Sequence, residues 1–121
     1  MTLVSVNELL ENADLYEGRN FYLQGVLACV KGDLLISHWP KAERTKGHYD
    51  QVWIYAGVVA IGFNPEHLRQ ISEKRVVVHG IGKRSEAVWP DDPGAFWRVH
   101  MLAHEIVEHK LWCEQYAAPP A

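Results

Sequence analysis

Cysteine is scarce in this sequence: Cys29 and Cys113 are the only two among 121 residues, and no C-x-x-C pair occurs. Two cysteines cannot build a disulfide framework, and they supply at most two ligands of a structural zinc site. A basic excess is also lacking, because 12 Lys and Arg stand against 15 Asp and Glu, a formal net charge of -3. A dedicated nucleic-acid-binding domain usually has the opposite balance. The composition therefore excludes a disulfide scaffold and argues mildly against a nucleic-acid binder, while leaving room for a local basic patch.

Long apolar runs and targeting signals are missing as well. The longest apolar stretch, 52–63, is shorter than the roughly 20 residues that a membrane-spanning helix needs. The first residues carry neither the basic n-region nor the apolar h-region of a secretory signal. "GIGKRSE" lacks the spacing of a phosphate-binding loop, and no Ser/His/Asp or Cys/His arrangement can be argued. These patterns predict a cytoplasmic protein with reduced thiols, no cofactor, no membrane contact and no catalytic residues.

What the sequence does have is a high share of hydrophobic residues, 48%, and no segment that reads as a linker. We therefore expect one domain over 1–121, with a frayed tail at 116–121. Ser5 followed by Glu8 forms a capping box and predicts a helix over about 5–14. Strands are expected near 20–30 and 33–39 around a tight turn, then at 51–56 and 74–82. Residues 57–63 either extend the third strand or form a buried connection. Asn64 and Pro65 begin a short helix, and 40–50 and 83–96 are loops.

Two of these strands carry an internal glycine, Gly25 in "RNFYLQGVL" and Gly80 in "KRVVVHGIG". A glycine inside a strand marks a bulge, a sharp bend or a close approach of another backbone. Strongly coiled strands of small barrels need such positions. The two segments share a plan but differ too much to be an internal repeat.

The histidine-rich stretch "WRVHMLAHEIVEHK", 97–110, fits two periods. As a helix it would align His100, His104 and Glu108 as metal ligands, but the H-E-x-x-H spacing fails because position 108 is Glu. As a strand it has one apolar face, and this is the interpretation we favour. We then expect residues 99, 101, 103 and 107 to be buried and 98, 100 and 108 to be more exposed. His100 and His104 would point the same way, which leaves open a weak metal site and, as the least favoured function, a metal-dependent enzyme.

The order of elements resembles the OB-fold (oligonucleotide/oligosaccharide-binding) family of small barrels, through "EGRNFYLQGVLACV", "QVWIYAG", "EKRVVVHGIGKR" and "RVHMLAHEIVEHK". The resemblance covers about residues 16–111 and is architectural. It implies a mainly β, five-stranded barrel with an added N-terminal helix and a short helix between the third and fourth strands. It also implies a ligand surface on the second and third strands and the neighbouring loops. Here the loop joining the first two strands is only 31–33, and the long loops are 40–50 and 83–96.

One candidate surface combines aromatic and basic residues. Val52 and Ile54 suit a tight interior, so Trp53 and Tyr55 are expected to face outward, although packing beneath the neighbouring loop is an equal alternative. Phosphates meet cations and bases stack on rings when single-stranded nucleic acid is bound. The residues that would form this patch are Trp39, Lys41, Arg44, Lys46, Trp53 and Tyr55.

A second candidate surface is the loop 83–96, with Lys83, Arg84 and Trp89. Trp and Arg are the commonest interface hot spots, and Asp91 and Asp92 would repel phosphate. The alternative is that Trp89 folds onto the barrel. We expect a non-enzymatic module that binds a protein partner, such as an inhibitor, a toxin-neutralising protein or an accessory subunit. Binding of single-stranded nucleic acid is the second hypothesis.

Overall fold

The structure is a computed structural model that describes residues 3–30, 32–43, 51–84 and 99–117. Its six strands are β1 Leu3–Ser5, β2 Asn20–Val30, β3 Asp33–Ser37, β4 Gln51–Ile61, β5 Arg75–Arg84 and β6 Val99–Glu108. Its helices are α1 Val6–Glu11, α2 Ala13–Tyr16, α3 Pro65–Ile71 and α4 His109–Trp112, with a 3₁₀ turn at Lys41–Glu43 and a π-helical turn at Cys113–Ala117. Within the described ranges, no helix is long and apolar enough to cross a membrane.

Strands β2 to β6 close into a barrel. The long strand β2 pairs antiparallel with β3 through its second half and with β5 through its first half. Strand β4 is antiparallel to β3 and parallel to β6, and β6 returns antiparallel to β5. The predicted mainly β, five-stranded OB-like barrel is thus confirmed, together with α3 between its third and fourth strands. Strand β1, which the sequence did not reveal, lies outside the barrel and pairs parallel to β2.

The N-terminal segment completes the barrel core instead of merely lying on it. Ser5 caps α1, because its Oγ accepts the backbone N–H of Glu8 at 3.2 Å, as the capping box predicts. The helix ends earlier than expected, at Glu11, and α2 follows it. Two side chains of α1, Val6 and Leu9, are fully buried in the same cluster as the inward residues of the strands. These include Leu23, Leu27, Ile36, Val52, Ile54, Val76, Val78 and Met101.

Both strand glycines lie where another backbone comes close. A Cβ on Gly25 would meet the carbonyl oxygen of Ser37, and β2 changes partner from β5 to β3 at the next residue, Val26. A Cβ on Gly80 would meet the carbonyl oxygen of Leu102, at an irregularity in the pairing of β5 with β6. Of the three alternatives, the close approach of another backbone is confirmed at both positions.

Strand β6 confirms the strand interpretation of the histidine-rich stretch, but its facing changes partway. Val99, Met101 and Ala103 are buried as predicted. The ladder then runs from Gly80↔Ala103 to His79↔Glu105, so His104 is an extra residue in β6. A bulge of this kind reverses the alternation beyond it. Ile106 is therefore buried and Val107 only half-buried, so the prediction that 107 is buried was wrong.

Several predictions fall outside what the structure describes. They concern loop residues 44–50 and 85–98, with Trp97 and Arg98 at the start of the histidine-rich stretch, and the last residues, 118–121. The expected frayed tail began too early, because Cys113–Ala117 form a helical turn.

Candidate partner-binding surface

The outward face of β4 and β6 carries a compact group of rings. Val52 and Ile54 are buried, Trp53 is half-buried and Tyr55 is exposed, so the expected orientation of this strand is confirmed. The ring centroids of Trp53 and Tyr55 are 4.6 Å apart. His100, the residue of β6 paired with Trp53, meets both rings edge-on at 5.0 and 5.4 Å. We call Trp53, Tyr55 and His100 the aromatic patch.

One predicted cation lies beside this patch. Lys83 of β5 pairs with His100 of β6, and its side chain is exposed. Its neighbour Arg84 pairs with Val99 at the end of β5, but its side chain belongs to the part that the structure leaves undescribed. Arg44, Lys46 and Trp89 also lie outside the described residues. The structure therefore joins Trp53, Tyr55 and Lys83. The roles of Arg44, Lys46, Arg84 and Trp89 remain predictions.

Trp39 and Lys41 belong to a different environment. The guanidinium carbon of Arg75 lies 5.3 Å from the centroid of the Trp39 ring. Arg75 Nε donates to Gln24 Oε1 at 2.8 Å, and the Gln24 amide donates to the Trp39 carbonyl at 3.4 Å. Lys41 is exposed in the 3₁₀ turn that follows. Trp39 is thus held in a polar network with β2 and β5, and its ring is engaged by a cation of this chain.

The second half of β4 forms a feature that the sequence pattern did not predict. Ala56 pairs with Ala103 and Ile61 with Glu105, so residues 57–60 loop out opposite the single residue His104. Val58, Val59 and Ile61 have exposed fractions of 106%, 88% and 64%. We call these three side chains the apolar ridge. Residues 55–61 extend the strand and contain no charged or strongly polar side chain, so the alternative of a buried connection was wrong.

His100 and His104 do not form a pair. The bulge in β6 directs them to different neighbours: His100 joins the aromatic patch, whereas His104 meets His79 edge-on at 5.7 Å. His79 in turn stacks on Tyr22, with centroids 4.4 Å apart and planes 13° from parallel. Burial lowers the pKa of His79, His104 adds to this, and Glu105 opposes it. Among the residues that the structure describes, no three His, Cys, Asp or Glu side chains form a group that could hold a metal.

A Cys/His contact does occur, although no sequence motif predicts one. His109 and Cys113 are four residues apart in the C-terminal helical segment, and Cys113 Sγ lies 3.6 and 3.5 Å from Nδ1 and Nε2 of His109. Burial and the nearby Arg75 lower the pKa of His109. The thiol is almost equidistant from the two nitrogens and so is not aimed at one lone pair. This geometry is not that of an activated nucleophile.

A groove of about 350 Å³ lies at the foot of the apolar ridge. It is built on Gly62, whose φ of +92° and close approach to the Ile106 carbonyl leave no room for a side chain. Asn64 caps α3 by accepting the backbone N–H of His67 at 2.8 Å, and His67 Nδ1 donates to the Gly62 carbonyl at 2.7 Å. The lining residues are Ile61, Gly62, Asn64, His67, Glu105, Ile106, Val107 and Gln115.

No protein-family model and no curated protein sequence matches this chain. Among solved structures it is similar to an aspartyl-tRNA synthetase from Leishmania major Friedlin, with a TM-score of 0.51 and 13% identity. That match covers 88% of this chain but only 20% of the synthetase chain.

Two further structures match less closely. A DUF3299 family protein from Pseudomonas aeruginosa PAO1 has a TM-score of 0.48 and 12% identity over 78% of this chain and 64% of its own. An OBody bound to hen egg-white lysozyme has a TM-score of 0.47 and 20% identity, and the match covers 86% of this chain and 91% of the OBody chain. At these identities the synthetase match supports the barrel fold alone, and the other two add nothing to the argument.

Proposed function

We propose that this chain is a non-enzymatic module that binds a protein partner through the outer side of β4. The observation that carries the proposal is the apolar ridge, where two valines and an isoleucine stand in solvent on a looped-out strand segment. Scattered single apolar residues on a surface are ordinary, but a contiguous group of them marks an interaction site. Partners of the inhibitor, toxin-neutralising or accessory-subunit kind fit such a surface.

The energetics favour a protein over a nucleic acid as the ridge's partner. Burying a valine or isoleucine side chain contributes about 2 kcal/mol to the binding free energy. The ridge gains this energy only when the partner covers it with an apolar surface. Phosphates and sugars offer little of that kind, and no cation interrupts residues 55–61 to hold a phosphate. The adjoining aromatic patch supplies Trp and Tyr, the residue types that dominate interface energetics. Tyr55 of the aromatic patch and Val58 of the apolar ridge lie three residues apart on β4, so the two surfaces follow one another along this strand.

The decisive experiment compares matched valine substitutions. The double variant Val58→Ser/Val59→Ser removes the ridge, and Val30→Ser alters another exposed valine far along the chain, at the end of β2. Partners retained by the wild-type protein from extracts of the source organism are purified and their affinity is measured by titration calorimetry.

We expect the double variant to lose more than about thirtyfold in affinity, which corresponds to about 2 kcal/mol, and the control to stay within about twofold. All three proteins should have the same melting temperature, because none of the altered side chains is buried. Equal binding by the double variant and the wild type would contradict the proposal.

Binding of single-stranded nucleic acid is the second hypothesis, and the aromatic patch favours it. Trp53 and Tyr55 lie side by side on the outer surface with Lys83 next to His100, an arrangement that can stack a base and hold a phosphate. Labelled dT oligonucleotides should then quench Trp fluorescence, bind more weakly as salt rises, and show a smaller salt dependence with Lys83→Ala. If no binding is detected at low salt, only the protein-partner proposal stands.

A further inference from the structure

The groove at the foot of the apolar ridge shares one residue with it. Ile61 is a ridge side chain and also lines the groove. A segment of a partner that covers Val58 and Val59 would therefore pass directly over the groove's opening. The chemistry of a ligand for this groove follows from the groove's charge and from those of its polar groups that are not already hydrogen-bonded within the protein.

The groove is negatively charged. Glu105 is the one Asp or Glu among its lining residues, and no Lys or Arg lines it. Glu105 lies across the β5–β6 ladder from His79, which is its titratable cross-strand neighbour. Burial and His104 lower the pKa of His79 although Glu105 opposes them, so a charged His79 ring beside Glu105 is disfavoured. The Glu105 charge is thus not neutralised by its histidine neighbour.

The other polar groups of the groove are arranged to receive donors. His67 Nδ1 must carry a proton to donate to the Gly62 carbonyl, so in the neutral ring Nε2 is left as an acceptor. The side-chain oxygen of Asn64 already accepts the His67 backbone N–H, and Pro65 has no backbone N–H, so neither position offers a free donor to an anion. Gln115 also lines the groove, and its side-chain amide can accept a hydrogen bond through its oxygen or donate one through its nitrogen. Exposed Ile61 and half-buried Val107 provide the apolar surface of the lining, since the Ile106 side chain is buried in the core.

We infer that this groove receives a guanidinium group, supplied by an arginine side chain of the partner segment that docks on the apolar ridge. The inference rests on the proposed function and names the chemistry of the partner. A guanidinium is planar, presents several N–H donors and is weakly hydrated, so it can donate to Glu105 while its face lies on the half-buried side chain of Val107. An ammonium group is compact and strongly hydrated, so it would use the carboxylate but not the apolar surface.

The test uses a small probe, so it does not need the partner. The ¹⁵N-labelled protein is titrated with N-acetyl-arginine methylamide and followed by amide chemical shifts. The matched probes are the citrulline analogue, which keeps the shape but not the charge, and the lysine analogue. The matched variants are Glu105→Gln, in the groove, and Glu108→Gln, on the same strand but outside the groove lining.

We expect saturable shifts at Gly62, His67 and Glu105 with the arginine probe and at least tenfold weaker binding of the citrulline probe. Glu105→Gln should weaken arginine binding by at least about fivefold, and Glu108→Gln should leave it unchanged. The lysine probe should bind more weakly than the arginine probe. Non-saturable shifts, or equal binding of the arginine and citrulline probes, would overturn the inference.

The outcome is separable from that of the proposed function. If the arginine probe fails to bind while Val58→Ser/Val59→Ser still loses the partner, the groove inference alone is wrong. If the probe binds as expected while the double variant retains its partner fully, the ridge proposal is wrong and the groove's role in that docking falls with it.

Discussion

Replacing Gly80 with alanine adds a single methyl group where the backbones of β5 and β6 come close together. Here the ladder between β5 and β6 is irregular, and the two backbones approach each other closely. The new Cβ would meet the Leu102 carbonyl oxygen and would lie 2.8 Å from Cα of Ala103. Both are main-chain atoms, so no change of side-chain rotamer can make room, and the strands themselves must separate.

The expected cost follows from that geometry. Overpacking a well-packed site costs about 1–3 kcal/mol, and the upper end applies here because a backbone must move. A ladder hydrogen bond lost as the strands part adds about 1 kcal/mol. Against this, alanine restricts the unfolded chain and returns about 0.5 kcal/mol. We therefore expect Gly80→Ala to lower the free energy of unfolding by about 3 kcal/mol, which for a domain of this size lowers the melting temperature by about 10 °C.

Gly57→Ala is the matched control. A Cβ at Gly57 would have only an ordinary contact, 3.4 Å from the Ala103 carbonyl oxygen. The φ angle of Gly57 is not positive, so alanine can adopt the same backbone conformation. This variant should be as stable as the wild type or more stable by about 0.5 kcal/mol. Urea denaturation followed by Trp fluorescence gives the free energy of unfolding for all three proteins. If Gly80→Ala falls within about 1 kcal/mol of Gly57→Ala, on the scale of a routine substitution, the close approach at Gly80 is refuted.

Three further outcomes are expected. Val78→Ala should cost about 2 kcal/mol of stability in urea denaturation because its side chain is fully buried, whereas Val58→Ala should change it by less than about 0.5 kcal/mol. The pKa of His79 is lower in the folded protein than in the unfolded chain. The free energy of unfolding should therefore keep its full value above about pH 6.5, the ordinary histidine pKa, and fall as the pH drops below it. Melting curves from pH 7.5 to 5 should show this, with a smaller decline in His79→Gln. If Trp89 is an interface anchor, Trp89→Ala should reduce partner affinity about thirtyfold at an unchanged melting temperature, while a large drop in that temperature would mean that it packs on the barrel.

Local patterns in the sequence were sufficient for most of the elements and for part of the surface. Alternation in "QVWIYA" predicted which side of β4 faces the core, because a strand with one buried face must repeat every two residues. Ser5 and Glu8 predicted where α1 begins, because capping involves residues only three apart. Gly25 and Gly80 predicted the close approaches, because only a residue without Cβ fits there. The alternation within β4 also predicted that Trp53 and Tyr55 face outward.

Only the tertiary structure decided the features that depend on distant pairings. The bulge at His104 arises from the register of β6 against β5, and it buries Ile106 in place of Val107 and separates His104 from His100. The apolar ridge exists because β4 has four residues where β6 has one between the same two pairings, and "GVVAIG" by itself reads equally well as a buried connection. Strand β1, the cation over Trp39 and the groove beside Glu105 likewise join segments far apart in the chain. Hydrophobic periodicity is encoded within a few residues, whereas strand register and the accessibility of a loop are settled only when the barrel closes.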